Sequence, residues 1–393
     1  RPIRSWKTCS SSFERGSIKN AMKKKNILIV FGTRPEALKL APVISAFRRD
    51  PQFRVWTCLT GQHREMVDQV LRLFKILVDF DLDLMVKGQT LSDLTSRLFP
   101  KMDEVLRKIK PDLIMVQGDT TTAFAVALKA FYERIPVAHV EAGLRTFNKY
   151  HPFPEEINRV LISHLGDIHL APTAEARMNL LREGIPSKNV FVTGNTVVDA
   201  LKEVRSKLSS SQIKLPGKIP AGKRFILVTA HRRESFGKPM ADICRALKTL
   251  AKGHPDVEFI YPVHLNPNVQ SIVHKELAGL RNIHLWKPLS YLEFLKLMEQ
   301  CFFILTDSGG VQEEAPSFGK PVLIMREVSE RGEGIRMGIA KLVGTSTVKI
   351  IKEATRLLDD PAAYRKMIGK KNPYGDGASS KRIVQITGKF LRP

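Results

Sequence analysis

The sequence is poor in cysteine and has no long apolar run, and each shortage excludes a class of protein. Its 393 residues include only four cysteines, Cys9, Cys58, Cys244 and Cys301, and no CxxC pair. This spacing argues against a metal or redox role for the thiols and predicts a reducing, cytoplasmic compartment. The longest apolar stretches, such as 26–31, are much shorter than the roughly 20 residues that cross a bilayer. We therefore expect no membrane insertion.

Several well-known cofactor motifs are also missing. No GxGxxG follows the first predicted strand, which argues against a nicotinamide dehydrogenase, and no GxxxxGK[ST] P-loop occurs. The histidines form no HxH or HExxH pair, so we predict no metal site. We expect the protein to work without a metal or redox cofactor.

Acidic residues are scarce relative to basic ones. Lysine and arginine number 63 against 39 aspartates and glutamates, for a formal charge of +24. Residues 1–25 are basic and serine-containing, and we interpret them as a disordered or extraneous N-terminal extension. Translation starting at Met22 and an organellar presequence are the two alternatives for its origin. The remaining charge is spread along the chain without an RNP, zinc or helix-turn-helix signature, so we predict an anionic small-molecule substrate and no nucleic-acid partner.

Short Val-, Ile- and Leu-rich runs alternate with segments of helical period from residue 26 onward. The predicted strands are 27–31, 53–59, 113–117, 137–140, 168–171 and 189–192, followed by 225–229, 257–263, 283–286, 302–306 and 321–325. This alternation predicts α/β architecture with parallel, doubly wound sheets. Proline, glycine and serine cluster at 203–223. We therefore predict two Rossmann-like domains, at 26–203 and 204–372, and a C-terminal helix within 373–393 that packs back on the first domain.

Polar residues follow the strands of the first half directly, where ligands bind in such sheets. Arg34 and Lys39 lie near the start of a helix predicted over 38–47, where free N–H groups and both cations would converge on a buried anion. Asp119 and Glu141 follow adjacent strands, and Glu155 opens another helix. Uncompensated carboxylates at strand ends are costly unless they are used, which favours a functional role for Asp119 and Glu141. Glu155 alone is a weak signal, because acidic residues are common in a first helical turn.

The second half offers a histidine and a glycine-rich turn. His231 and Arg232 follow one strand, and His264 follows the next. The strand at 302–306 leads into Asp307-Ser308-Gly309-Gly310, with a helix predicted to begin at Val311. This turn is typical of a phosphate cradle, because its glycines admit close backbone approach and the helix N-terminus presents N–H groups. Glu314, one turn further on, is a candidate acceptor for a ribose diol.

Ten strings in a fixed order resemble the non-hydrolysing UDP-N-acetylglucosamine 2-epimerases, members of the GT-B structural class. They are FGTRPEALKLAPV, TGQHREM, QGDTT, HVEAGLRT, PFPEEINR, VTGNTVVDAL, TAHRRES, DSGGVQEEAPSFGKPVL, SERGEG and NPYGDG, and they run from about Lys25 to Arg382. The resemblance implies a GT-B fold, in which two Rossmann-like domains face each other across a cleft. One departure lies at Gly332, where the family usually has proline. Its loss predicts a looser loop around Arg331.

The resemblance also implies site residues. The catalytic set matches Asp119, Glu141, Glu155 and His231. The positions that bind the UDP-sugar match Arg34, Lys39, Leu289, Phe294, Ser308, Gly309, Gly310, Glu314 and Arg331, with Phe294 and the backbone around Leu289 at the uracil. A regulatory substrate site of the bacterial family matches Gln62, His63, Gln89, Arg232 and His264.

The implied reaction is reversible epimerisation at carbon 2 of UDP-N-acetylglucosamine, by elimination and re-addition of UDP through a 2-acetamidoglucal. UDP-N-acetylglucosamine and UDP are then the ligands, a homodimer is expected, and the product supplies cell-surface polysaccharide synthesis. Three alternatives stay open at this point. They are a GT-B glycosyltransferase, a hydrolysing 2-epimerase that releases free N-acetylmannosamine, and a basic nucleotide- or nucleic-acid-binding module.

Overall fold

Two parallel sheets, one in each half of the chain, form the frame of the molecule. The computed structural model describes residues 23–61, 64–86, 88–208, 213–220 and 222–392. Most of the predicted N-terminal extension, residues 1–22, therefore lies outside the described residues. None of the helices in these ranges combines the length and the apolar composition that crossing a lipid bilayer requires.

The first sheet has seven strands in the order β3-β2-β1-β4-β5-β6-β7. They are β1 (Lys25–Phe31), β2 (Phe53–Leu59), β3 (Phe80–Asp81), β4 (Leu113–Gln117), β5 (Val137–Val140), β6 (Ile168–Ala171) and β7 (Val190–Val192). The helices between and after them are α1 (Arg34–Arg49), α2 (Arg64–Phe74), α3 (Leu91–Ile109), α4 (Thr121–Tyr132), α5 (Glu155–Leu165), α6 (Ala174–Arg182) and α7 (Thr196–Leu208).

The second sheet has six strands in the order β10-β9-β8-β11-β12-β13. They are β8 (Phe225–Thr229), β9 (Glu258–Pro262), β10 (Ile283–Trp286), β11 (Phe303–Thr306), β12 (Val322–Ile324) and β13 (Ala340–Leu342). The helices are α8 (Lys238–Gly253), α9 (Pro267–Leu277), α10 (Tyr291–Gln300), α11 (Gly309–Glu314), α12 (Gly332–Arg336), α13 (Thr347–Asp359), α14 (Pro361–Met367) and α15 (Ser379–Phe390).

Burial on both faces explains why the central strands are apolar throughout. All five residues of β4 and all five of β8 are buried, as expected for parallel strands covered by helices on each side. The predicted parallel, doubly wound architecture is confirmed. Two short edge strands, β3 and β13, were not predicted, and α7 continues to Leu208, past the boundary predicted at residue 203.

The strand orders place one switch point in each sheet. In the first sheet β1 lies between β2 and β4, and in the second β8 lies between β9 and β11. The connections leave opposite sides of the sheet at such a point, so the loops after the two strands open a crevice. The residues that follow β1, β4, β8 and β11 therefore lie at the two crevices.

The last helix, α15, packs against α1 and α7 of the first half. Asp199 in α7 anchors its start, because the carboxylate accepts hydrogen bonds from Ser379 N (3.2 Å) and Ser380 N (2.8 Å). The chain thus crosses between the halves twice, once after α7 and once before α15.

Candidate active site

The loop between β1 and α1 is closed by a buried glutamate. Glu36 Oε2 accepts hydrogen bonds from Gly32 N (3.0 Å) and Thr33 N (2.7 Å), and its Oε1 accepts one from Thr120 Oγ1 (2.7 Å). Burial raises the pKa of Glu36, although these hydrogen bonds oppose the rise. Glu36 therefore binds the two N–H groups that directly precede α1.

Lys39 stands at the centre of a buried group of charges that joins the two halves. We call Lys39, Glu141, Glu313, Glu330 and Arg331 the charge cluster. Lys39 Nζ contacts Glu141 of the first half and lies 2.9 Å from Glu313 Oε2 of the second. Arg331 Nε lies 2.7 Å from Glu313 Oε1, and its Nη1 contacts Glu330. All five side chains are nearly inaccessible to solvent, so their electrostatic interactions are weakly screened.

Glu141 occupies an unusual environment directly after β5. Its φ is +66°, in the left-handed region. Its carboxylate contacts Lys39 and the amide of Gln117, and it accepts a 2.9 Å hydrogen bond from Asn195 Nδ2. Burial raises the pKa of Glu141 to about 7, against the lowering effect of Lys39. A carboxyl group with that pKa exchanges protons near neutral pH.

The other members of the cluster are held in their charged forms by each other. Burial alone would lower the pKa of Lys39, but Glu141 and Glu313 outweigh it and raise that pKa. Burial alone would raise the pKa of Glu313, but Arg331 and Lys39 lower it. The Arg331 guanidinium is therefore held by the carboxylates of Glu313 and Glu330.

Asp119 and Glu155 lie on the first half, after β4 and at the start of α5. Arg159 Nη2 lies 2.5 Å from Asp119 Oδ2, and Asn158 Nδ2 donates to the Asp119 carbonyl at 2.9 Å. Burial raises the pKa of Glu155, and the charge of Asp119 adds to the rise. Among the described residues, the buried Glu155 Oε2 has no hydrogen-bond partner. The two carboxyl groups therefore meet different surroundings, one oriented by a cation and one not.

In the second half, a buried aspartate shapes the loop that carries His231. Asp307 Oδ2 accepts hydrogen bonds from His231 N (2.8 Å), Arg232 N (2.8 Å) and Ser235 Oγ (3.2 Å). The imidazoles of His231 and His264 stack with their centroids 5.3 Å apart. Burial lowers the pKa of His231, although Asp307 pulls it upward. The structure thus brings together a predicted catalytic histidine and two residues of the predicted regulatory site, Arg232 and His264.

The glycine-rich turn after β11 differs in detail from the predicted cradle. The helix begins at Gly309 rather than Val311 and has only six residues before it tightens into a 3-10 turn at Ala315–Phe318. A Cβ on Gly309 would lie 2.6 Å from Arg331 Cζ. Gly309 therefore makes room for the guanidinium of Arg331, a contact that the sequence pattern did not suggest.

Glu314 is linked to Arg34 of the first half by way of the Tyr291 side chain, which contacts both. Glu314 Oε1 accepts a 3.0 Å hydrogen bond from Tyr291 Oη, and burial raises the pKa of Glu314 to about 7. Arg34 Cζ lies 5.9 Å from the centroid of the Tyr291 ring. Ser308 precedes the short helix at its N-cap position and makes no side-chain capping hydrogen bond, and Leu289 and Phe294 are partly buried against the core. Arg34 of the first half thus lies near Tyr291 and Glu314 of the second.

The predicted regulatory residues are only partly covered. Gln62 and His63 lie outside the described residues. Gln89 lies just before α3, where its amide contacts Arg97, Met85 Sδ and Val86 N. Within the described ranges, no group of three or more His, Cys, Asp or Glu side chains is arranged to hold a metal ion.

Several residues of the site were missed from the sequence. They are Glu36, Gln117, Arg159, Asn195, Tyr291, Glu313 and Glu330. A signal existed for two of them. Arg159 lies four residues after Glu155 and so shares its helix face, and Asn195 lies just beyond the end of β7. Glu36 and Glu330 are identified by local contacts, with Gly32 and Thr33 and with Arg331. Gln117, Tyr291 and Glu313 are identified by contacts between segments that are distant in sequence or by packing.

Comparison with known proteins gives a consistent result. The family model described as UDP-N-acetylglucosamine 2-epimerase matches residues 45–388. The UDP-N-acetylglucosamine 2-epimerase of Salmonella typhimurium is 52% identical over 370 residues, covering 93% of this chain and 98% of its own.

Two solved structures extend the likeness to the fold. The crystal structure of UDP-GlcNAc 2-epimerase from Neisseria meningitidis bound to UDP-GlcNAc has a TM-score of 0.87 and 46% identity, covering 93% of this chain and all of its own. The S. aureus MnaA co-structure with UDP has a TM-score of 0.87 and 44% identity, covering 93% of this chain and 97% of its own.

Proposed function

The chain belongs to the UDP-N-acetylglucosamine 2-epimerase family, and from that premise we propose that it interconverts UDP-N-acetylglucosamine and UDP-N-acetylmannosamine without net hydrolysis. The observation that carries this proposal is the charge cluster. It brings Glu141 of the first half, a carboxyl group suited to proton transfer, together with Lys39 of the first half and Arg331 of the second, two cations suited to a diphosphate. A glycosyltransferase of the same fold has no need of that carboxyl group.

Two similar solved structures and the side chains around the crevice both support a UDP-sugar as the ligand. The Neisseria structure is described as bound to UDP-GlcNAc and the S. aureus structure as bound to UDP. We propose that this chain binds both. Arg34, Lys39 and Arg331 would contact the diphosphate with the turn Ser308-Gly309-Gly310, Glu314 would accept hydrogen bonds from the ribose hydroxyls, and Phe294 and the Leu289 backbone would contact uracil.

The chemistry begins with loss of the leaving group, because no carbonyl acidifies the proton at carbon 2 of this sugar. Cleavage of the bond between carbon 1 and the diphosphate oxygen puts positive charge on the sugar and negative charge on UDP. Lys39 and Arg331 stabilise that negative charge electrostatically. A carboxylate then takes the proton from carbon 2, giving 2-acetamidoglucal. Re-addition of UDP, with a proton delivered to the opposite face of carbon 2, yields the other epimer.

Two proton-transfer groups on opposite faces are required, and the site offers three carboxyl groups with distinct surroundings. Glu141 has a pKa of about 7, and burial raises the pKa of Glu155. Asp119 is oriented by Arg159 at 2.5 Å. His231, beside Asp307, would orient or protonate the diphosphate. General acid–base catalysis needs groups that change protonation near the working pH, and this set contains them.

The test is a reaction with UDP-N-acetylglucosamine alone in heavy water, followed by proton NMR. We expect UDP-N-acetylmannosamine to appear with deuterium at carbon 2. Free N-acetylmannosamine would instead identify a hydrolysing enzyme. Turnover only after addition of a sugar acceptor would identify a glycosyltransferase.

The matched controls are Asp119→Asn and Glu141→Gln, which change a carboxylate to an amide of the same shape. Both variants should lose turnover, by at least about a hundredfold as is common for acid–base residues, while UDP still binds in a calorimetric titration. Full activity in either variant would remove that residue from the proposed mechanism.

Further parts of the proposal rest on the family resemblance. The first half, extended to Leu208, would carry the proton-transfer groups, and the second half the UDP site. A second substrate molecule would bind a regulatory site at Gln62, His63, Gln89, Arg232 and His264. The product would supply cell-surface polysaccharide synthesis in a reducing cytoplasm, in agreement with the free, buried state of Cys58, Cys244 and Cys301.

We also propose a homodimer. Exposed apolar side chains on the neighbouring helices α4 and α5, among them Phe131, Tyr132 and Leu161, support a protein contact there. Sedimentation velocity at micromolar concentration tests it, and a single monomeric species would contradict it.

A further inference from the structure

The NPYGDG segment at 372–377 is a part of the sequence pattern to which the proposed function assigns no role. It lies where the chain returns from the second half to the first, between α14 and α15. Tyr374, its central side chain, is only 3% exposed. A buried hydroxyl needs a hydrogen-bond partner, so its contacts indicate what the segment does.

The Tyr374 side chain reaches the second half of the site. Its hydroxyl donates to the Arg331 carbonyl at 3.3 Å and accepts from Gly334 N at 3.2 Å. These bonds hold both ends of the turn that presents the Arg331 guanidinium to Glu313 and Glu330. The hydroxyl thus supports the backbone of Arg331, while the charge cluster holds its guanidinium.

The Tyr374 backbone reaches the first half of the site. Its carbonyl accepts a 2.6 Å hydrogen bond from Asn195 N, and the Asn195 side chain donates to Glu141 Oε1 at 2.9 Å. Glycine permits this close approach. A Cβ on Gly194, which has φ of +90°, would lie 2.6 Å from Ser379 Oγ and 3.5 Å from Gly375 Cα.

A third contact ties the same segment to the helix that carries Glu313. Asn372 Nδ2 donates to the Glu313 carbonyl at 3.1 Å and to Ser317 Oγ at 2.8 Å, while its Oδ1 accepts from Tyr374 N at 2.8 Å. Residues 372–374 therefore contact the Glu313 and Arg331 backbones directly, and they contact Asn195, which donates a hydrogen bond to Glu141.

We propose that Tyr374 is a positioning residue that holds Arg331 in register with Glu141 across the two halves of the site. This inference rests on the proposed function, because it matters when Arg331 stabilises departing UDP and Glu141 takes part in proton transfer. Elimination and re-addition act on the same bound intermediate, so Arg331 and Glu141 must keep their relative positions until UDP has added back. Loss of the alignment lets the intermediate escape before UDP adds back.

The test is Tyr374→Phe, which removes only the hydroxyl and keeps the buried ring. We expect kcat to fall about tenfold, the effect of losing roughly one buried hydrogen bond, while KM changes less than twofold. We also expect a larger share of each turnover to end as free 2-acetamidoglucal and UDP, measured by proton NMR. A wild-type kcat and a wild-type product ratio would overturn the proposal.

The matched control is Tyr364→Phe. Tyr364 Oη donates a partly buried hydrogen bond to the Phe302 carbonyl at 2.9 Å, just before β11 begins, so the variant also loses one tyrosine hydroxyl bond in the second half. It should lower thermal stability and leave kcat and the product ratio unchanged. An equal release of 2-acetamidoglucal by this control would show a general loss of stability and contradict the positioning role.

A second measurement does not depend on turnover. Hydrogen–deuterium exchange of the Tyr374→Phe variant should rise in peptides covering 329–336 and also in those covering 193–197, and in neither for Tyr364→Phe. A rise confined to 329–336 would refute the proposal that Tyr374 holds Arg331 and Glu141 in fixed relative positions. If the wild type fails to epimerise UDP-N-acetylglucosamine, the proposed function fails, and the exchange pattern still decides whether Tyr374 couples the two segments.

Discussion

At the scale of single residues, the charge cluster explains how strongly basic groups stay buried in the crevice. Lys39 contacts carboxylates from both halves, and Arg331 contacts Glu313 and Glu330. Each cation therefore has two carboxylate partners, which offset the free-energy cost of burying its charge. The side chains that would hold UDP are therefore preorganised by acids, some of which serve no other evident role.

Glu314 gives a prediction about pH. Its pKa is raised to about 7 by burial, whereas a carboxylate that accepts hydrogen bonds from a ribose diol must be ionised. Binding then requires loss of a proton below pH 7, so affinity should fall as the pH falls. We expect the Kd for UDP-glucose, whose diphosphate diester does not titrate in this range, to rise about tenfold from pH 8 to pH 6.

The control is Glu314→Gln, whose amide oxygen still accepts from Tyr291. Calorimetric titration at each pH should give this variant a weaker Kd that is constant across the range. A pH dependence that persists in Glu314→Gln would assign the titration to another group, and a flat wild-type profile would argue against an ionised Glu314 in the complex.

The sequence predicted which residues carry charge at the strand ends but not how those charges are paired. Asp119 and Glu141 were identified because each directly follows a strand. Their partners Arg159 and Lys39, and above all Glu313, depend on how α5, α1 and α11 meet in space. Short-range spacing reports the direction of a side chain along its own element. It contains no information about a contact between residues as far apart as Lys39 and Glu313.

At the scale of elements, α11 shows why two adjacent glycines are not equivalent. A Cβ on Gly309 would lie 2.6 Å from Arg331 Cζ, whereas a Cβ on Gly310 would meet only Ser308 Oγ at 4.0 Å. The sequence pattern assigned both glycines to phosphate. The packing assigns the first of them to the guanidinium of Arg331.

We predict that Gly309→Ala lowers the free energy of unfolding by about 1–3 kcal/mol, the usual cost of overpacking. The cause is displacement of Arg331 from Glu313 and Glu330. Gly310→Ala should change it by less than about 0.5 kcal/mol. Urea denaturation compares the two variants, and equal losses would contradict this account of Gly309. A stable Gly310→Ala variant that no longer binds UDP would support close approach of a phosphate at that position.

Element boundaries were the less predictable part of the fold. The eleven apolar runs were identified because parallel strands are buried on both faces and are therefore apolar throughout. β3 has only two residues and lies at a sheet edge, where one neighbour is enough to order it. α7 continues into a polar segment to Leu208 because Val204 and Leu208 are buried against the core. Tertiary contact decided both cases.

At the scale of the whole molecule, two buried histidines lie side by side beneath the site. His139 on β5 pairs in register with His169 on β6, and His139 Nε2 lies 2.7 Å from the Gly118 carbonyl. Burial lowers their pKa values to about 3 and about 4. Both are neutral in the folded protein at neutral pH, and the unfolded chain binds their protons first as the pH falls below about 6.5.

We predict that the destabilisation caused by His139→Gln depends on pH. The wild type loses stability from pH 6.5 downward because its unfolded state gains a proton that folded His139 does not. Each pH unit is equivalent to about 1.4 kcal/mol, so the effect reaches about 2 kcal/mol at pH 5. The variant should therefore be destabilised by about 2 kcal/mol less at pH 5 than at pH 7.5 in urea denaturation. The same loss at both pH values would contradict a neutral His139.

The position of α15 has a consequence for how the protein is made. The helix covers α1 and α7 of the first half and is fastened to Asp199, yet it is synthesised after the entire second sheet. While the ribosome translates that sheet, the first half carries an uncovered surface on α1 and α7. Its packing is completed only when α15 leaves the exit tunnel. The first half therefore reaches its final packing only after the second half has been synthesised.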